Sequence, residues 1–251
     1  MLKSTRFYFY GKGFCAMLGT IINAVAIVIG GTIGTIFSNR IREDYVRGIM
    51  IGMGFTVAAI GIQSAAGIKS FLVIVLSVSI GLLIGMLLHL DDRVNGLGDW
   101  AKGKLKDTPF GKGPFSEGFV TCTLLFCTGS MAILGSVRAG LDHDYSILLT
   151  KSVMDGISAA AFASALGSGV IFSALPLFLY QGAITLLAGA VEPVLTADVV
   201  NEMSGVGGPI FLAMACNMVG IGKERFKIGD MLPCMFLPIL LVPLAKAVGL
   251  F

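Results

Sequence analysis

Apolar stretches long enough to cross a bilayer alternate with short charged segments along almost the whole chain. The first, Leu18 to Phe37, carries no charge over twenty residues, the length an α-helix needs at roughly 1.5 Å per residue to cross about 30 Å of hydrocarbon. The same pattern predicts spans over Gly48–Ile68, Ser70–Leu90, Gly118–Val137, Ser146–Gly169, Val170–Val191 and Met203–Gly222. Ile228 to Phe251 is equally apolar, but Pro233, Pro238 and Pro243 predict a kinked eighth span or a partly inserted segment. Seven spans is the alternative count. Between the spans lie charged loops at Ser38–Arg47 and Arg138–Tyr145, and an acidic loop at Glu192–Glu202. The long polar stretch Asp91–Glu117 is expected to be a solvated loop, with a short amphipathic helix over Val94–Leu105 and Trp100 at headgroup level.

Composition agrees with this pattern. Of 251 residues, 55% are hydrophobic and only 13% charged, with a mean hydropathy of +0.89, whereas soluble domains carry about 25% charge. The expected class is therefore an all-α membrane protein of seven to eight transmembrane helices. The net charge of +3 is no sign of nucleic-acid binding; what matters is how the positive charges divide between loops. With eight spans, Arg40, Arg42, Arg47, Arg93, Lys102, Lys104, Lys106, Lys112, Lys223, Arg225 and Lys227 share one side. Leaving residues 1–16 aside, the opposite side keeps Lys69, Arg138, Lys246 and, where it sits at the interface, Lys151, so the long basic loop is expected in the cytoplasm. Residues 1–16, with Lys3, Arg6 and Lys12 among aromatics, differ from the rest and are expected to be an extension upstream of a natural start at Met17. Cys15, Cys122, Cys127, Cys216 and Cys234 lack metal or redox spacing and are expected to be free thiols.

The two halves are weakly similar. Gly30-Gly31-Thr32-Ile33 aligns with Thr128-Gly129-Ser130-Met131 at an offset of 98, and Arg42-Glu43-Asp44-Tyr45 with Asp142-His143-Asp144-Tyr145 at 100. A unit of three spans must re-enter from the opposite side when repeated. This predicts an inverted repeat, 17–105 and 116–192, followed by a C-terminal helical pair, 203–251, with broken helices at corresponding places framing a site near the bilayer midplane.

Candidate chemistry concentrates where spans contain polar groups. Glycine runs such as Gly30–Gly34, Gly48–Gly52 and Gly81–Gly85 serve close helix packing in the simplest reading. Hydroxyls within such runs, on Thr32, Thr128 and Ser130, add groups able to ligate a cation or polar solute. Asp155 is the carboxylate placed well inside a span, and Lys151 stands four residues earlier on the same helix face. Either the two neutralise each other near the interface, with the lysine snorkelling, or Asp155 is a proton- or cation-responsive group. Asn23, Gln63, Gln181 and Asn217 suit helix–helix hydrogen bonds. Asn217 also follows Gly205-Val-Gly-Gly-Pro209, which predicts a free helix N-terminus. Two histidines cannot form a three-histidine zinc site, HExxH and GxSxG are absent, and Gly98–Leu105 ends in Leu where a P-loop needs Ser or Thr. No enzyme, cofactor or metal is expected.

Met17-Leu-Gly-Thr-Ile-Ile-Asn23-Ala24, Thr128-Gly-Ser-Met-Ala-Ile-Leu-Gly135 and Lys151-Ser-x-Met154-Asp155-Gly156, with weaker support from Gly205 to Asn217, make the chain resemble the bacterial YdfK/YqgA-type family of polytopic membrane proteins with a domain of unknown function. The resemblance covers roughly residues 17–248. It implies a multi-pass protein of the bacterial inner membrane with six to eight spans, and it brings no activity. The function expected from the residues is a transporter or channel for a small ion or polar solute. Gly31, Thr32, Thr128, Gly129, Ser130, Asp155 and Asn217 are its expected ligands. The partners are the lipid bilayer and the solute, and the small residues on helix faces also suit a homo-oligomer. The competing expectation is a scaffold or sensor binding a partner or anionic lipid through the basic loop from Arg93 to Lys112.

Overall fold

The computed structural model describes residues 16–38, 43–105, 114–222 and 224–250. Residues 1–15 of the expected extension, the loop arginines Arg40 and Arg42, and Lys106, Lys112 and Lys223 lie outside them, as do the side chains of Trp100, Lys102 and Lys104. Among the described residues every regular element is helical: α1 Leu18–Ser38, α2 Glu43–Ala66, α3 Phe71–Leu87, α4 Leu90–Leu105, α5 Phe115–Thr128, α6 Ser130–Leu141, α7 Ser146–Leu166, α8 Gly169–Phe172, α9 Ala174–Leu186, α10 Ala188–Val191, α11 Ala197–Val219, a 3₁₀ segment Ile228–Phe236, and α12 Pro238–Ala247. Five helices, α8 and α9 together counting as one, are long and apolar enough to cross a membrane, and eight if each bent pair is one span.

Helix directions favour eight. α1 and α7 run parallel: Gly19 meets Leu148, Gly30 meets Gly156, and Gly34 meets Ala160. That requires an even number of crossings between their starts, which is met when α1, α2, bent α3–α4 and bent α5–α6 each cross once. α2 and α11 run antiparallel, Gly54 meeting Met218 and Gly61 meeting Gly208; α3 runs antiparallel to the 3₁₀ segment, Gly81 meeting Cys234 and Gly85 meeting Asp230. Both fit spans two, seven, three and eight of an eight-span chain. The bends have local causes. α5 and α6 meet at 59° around Gly129, whose extended backbone (φ −67°, ψ 140°) ends one helix and begins the next. α3 turns 55° into α4 at His89, held at φ +49°. Pro238 opens α12 at 43° to the 3₁₀ segment, since a proline lacks the N–H that a continuing helix would use.

Packing divides the bundle into two groups. α1 lies along α7, with α5, α6, α8 and α9 around them, while α2 lies along α11, with α3 against the 3₁₀ segment and α12. A Cβ on Gly30 would stand 2.0 Å from the Gly156 carbonyl oxygen, and one on Gly34 2.2 Å from that of Ala160. Only glycine lets these backbones touch. On the face carrying α4, Asp91 Oδ1 accepts from Gly229 N and Asp230 Oδ1 accepts from Asp91 N, both at 2.9 Å, joining the start of α4 to the start of the 3₁₀ segment. On the opposite face Asp198 bridges Lys69 at 2.7 Å and Lys246. Glu202, fully buried, accepts Lys69 N and Ser70 N through Oε1 at 2.8 Å each, satisfying the start of α3.

Two expectations change. α1 is continuous through Gly30–Gly34, because those glycines pack against α7 instead of freeing the backbone; the interruption expected in both the first and fourth spans is present in the fourth. α11 begins at Ala197, not Met203, because Thr196 caps it, its hydroxyl accepting from Val199 N with Asp198 in the first turn. It then runs unbroken through Gly205–Pro209, so the expected free N-terminus beside Pro209 does not exist.

Gly30→Ala is expected to lower stability by about 1–3 kcal/mol, the cost of overpacking a tight contact. Gly48→Ala, which meets open space, is expected to be neutral or stabilising by up to about 1 kcal/mol through helix propensity. Thermal unfolding of the two variants in detergent measures the contrast.

Candidate functional site

A cavity of about 460 Å³ lies on the seam between the two helix groups. α2 supplies Ile60, Gln63 and Ser64, and α11 supplies Asn201 and Ser204; from the other group come Leu125 and Phe126 of α5, Ser130 and Met131 of α6, and Lys151, Met154, Asp155 and Ser158 of α7. Gly129 sits among them at the bend, midway along the broken span, and Gly67, just past the end of α2, marks the far limit. The cavity therefore runs from mid-bundle towards the face carrying Asp198. Towards the α4 face the same helices close up: Val57, Leu124, Phe162, Leu166, Ile210 and Met214 form one buried apolar cluster.

The ionic feature of this wall is built on one turn of α7. Lys151 Nζ donates to Asp155 Oδ2 at 2.5 Å, the pair 6% and 7% exposed. Spacing of four residues puts both on one helix face. The glycine-mediated approach of α1 brings Asn23 Nδ2 to the same Oδ2 at 3.1 Å, and to Gln181 Oε1 of α9 at 3.4 Å. Phe126 adds its ring face, 5.9 Å from Nζ, a favourable position for a cation. Asn23 Oδ1, Gln181 Nε2 and Ser204 Oγ are buried without a partner among the described residues, so this polar region carries unused hydrogen-bonding capacity.

The bend contributes backbone groups. The first amides of α6 have no acceptor in their own helix and the last carbonyls of α5 no donor, and both ends line the cavity. The opposing helix ends present partial positive and partial negative charge to one space.

Three of the residues expected from the sequence meet here: Gly129, Ser130 and Asp155. Thr128 stands beside them but turns away, its hydroxyl donating to Leu124 O at 2.6 Å while its methyl packs near Gly207. Gly31 packs against Ile171, and the Thr32 hydroxyl donates back to Val28 O at 2.7 Å; neither lines the cavity. Asn217 lies at the other end of α11, where its side chain donates to Phe226 O and accepts from Phe226 N at 2.9 Å each, a clamp on the following loop. Ser204 fell inside the expected span but was not singled out, and Asn201 was missed because it falls in the stretch expected to be an acidic loop. Thr196 followed by Asp198, a capping residue with an acid in the first turn, is the signal that would have placed Asn201 on a helix.

The family model described as "Protein of unknown function (DUF554)" matches residues 18–243. Two relatives align end to end. The uncharacterized membrane protein YdfK of Bacillus subtilis (strain 168) is 37% identical over 238 residues, covering 93% of this chain and 99% of its own. The uncharacterized protein YqgA of Escherichia coli (strain K12) is 30% identical over 235 residues, covering 92% and 97%. No solved structure matches. The chain belongs to this family and is a membrane protein.

Lys151→Met leaves the Asp155 carboxylate buried without its cation and is expected to cost about 3–5 kcal/mol. The double variant Lys151→Met/Asp155→Leu removes both charges and is expected to recover most of that loss. Denaturation midpoints of the two variants against the unmodified protein measure the difference.

Proposed function

We propose that this member of the DUF554 family moves a small polar solute or ion across the membrane, with the cavity at the α5–α6 bend as its binding site. The observation that carries this reading is the cavity itself: polar side chains from two helix groups, a buried ion pair and two helix ends surround one space inside a membrane bundle. Polar and charged groups in a span are costly to insert and ordinarily face a substrate path or a partner. A packing role would favour filling this volume with apolar side chains.

The closed apolar cluster on the α4 face and the cavity's reach towards the Asp198 face fit one end state of alternating access. Its seam position fits rocking of one helix group against the other. Asp155 is the charged ligand in this reading, Lys151 its counter-charge, and Asn23 positions the carboxylate. We further infer residence in a bacterial inner membrane with the α4 face cytoplasmic, from the bacterial relatives and the basic residues of that face.

In proteoliposomes, flux of a transported solute is expected to fall at least tenfold in Asp155→Asn. Equal flux in variant and unmodified protein would remove Asp155 from the path. Ser64→Cys is expected to react with a membrane-impermeant thiol reagent applied from the Asp198 face of oriented membranes, and not from the α4 face.

A further inference from the structure

We propose that the cavity takes a small zwitterion, a molecule carrying a carboxylate and an ammonium on neighbouring carbons, as an α-amino acid does. This rests on the transport reading of the same cavity and names its substrate class.

The argument begins with valences. Lys151 Nζ has three donors and gives one to Asp155. Asp155 receives both of its hydrogen bonds, from Lys151 and Asn23, on Oδ2; its Oδ1 receives none among the described residues. The cavity wall therefore offers an ammonium with spare donors directly beside a carboxylate with a spare acceptor oxygen. These are the charged side chains that line it.

Net charge then selects the ligand. The wall is neutral overall, and its ion pair is buried within a membrane bundle, Lys151 and Asp155 being 6% and 7% exposed. A lone anion drawn to Lys151 would meet Asp155 nearby, and a lone cation drawn to Asp155 would meet Lys151. Either would also bring uncompensated charge into a low-dielectric region. A zwitterion satisfies both groups and adds no net charge. The bend repeats the same polarity in backbone form: α6 begins at the cavity, and a helix N-terminus suits a carboxylate, while α5 ends there, and a helix C-terminus suits an ammonium. Ser204 Oγ, buried and unpartnered beside them, supplies a neutral contact. A volume near 460 Å³ suits a small organic molecule and exceeds what a bare ion needs.

The test separates binding from movement. Purified full-length protein in detergent is titrated with a panel of radiolabelled α-amino acids. The best binder is then compared with its decarboxylated amine and its deaminated acid, so that each charge is removed from the ligand while the protein stays intact. At least tenfold weaker binding of both analogues is expected, with partial retention in Lys151→Arg and loss in Asp155→Asn. An analogue that binds as well as its parent overturns the proposal, as does a panel in which no amino acid binds. Binding without flux of the same compound in proteoliposomes would keep the ligand class and remove the transport reading. Flux of an inorganic ion by a protein that binds no zwitterion would keep transport and overturn the ligand class.

Discussion

The Lys151–Asp155 ion pair is the constraint around which the other features of the bundle are arranged. Two charges inside a hydrocarbon slab are tolerated only with each other and with further hydrogen bonds. The third member, Asn23, comes from a helix more than a hundred positions earlier in sequence. It can reach the pair because α1 and α7 touch backbone to backbone through Gly30, Gly34 and Gly156. Leaving two positions of one helix stripe without side chains thus lets a polar side chain on the same stripe reach its partner. Packing and chemistry are coupled on a single face of α1.

That coupling also explains why a cavity survives beside so tight a contact. α1 and α7 leave no room between them, so the space opens on the other side of α7, where α5 is interrupted and α2 and α11 belong to a different group of helices. A continuous fifth helix would have presented a closed wall there. The extended backbone of Gly129 instead turns two helix ends towards the ion pair.

Most of the spans were legible in the sequence, because length and polarity suffice to recognise an apolar helix. The break at Gly129 was legible too, from a glycine flanked by hydroxyls, and so was the placing of Lys151 beside Asp155, from a spacing of four. The same signal misled at Gly30–Gly34: glycine permits either an interruption or a close approach, and the choice is made by the neighbour, Gly156, which no local pattern reveals. Asn217 failed for a related reason, since its partner is the backbone of Phe226 in a loop of no distinctive composition. Asn201 lies in a mixed polar and apolar turn that reads as loop by hydropathy and as helix only by its cap. The seam between helix groups is a property of pairings such as Gly61 with Gly208, far apart in sequence and invisible within any one span.

The reciprocal bonds between Asp91 and the 3₁₀ segment bear on how such a sequence can drift. Each aspartate accepts a backbone proton from the other's segment, and Asp91 also receives Asn95 through its second oxygen. Exchange of one aspartate for a side chain without an acceptor oxygen strands an amide in the opposite segment, so its effect is felt at a position nearly 140 residues away. The closure of the bundle near α4 therefore hangs on two side chains that lie far apart in sequence, each serving a backbone amide that no local residue serves.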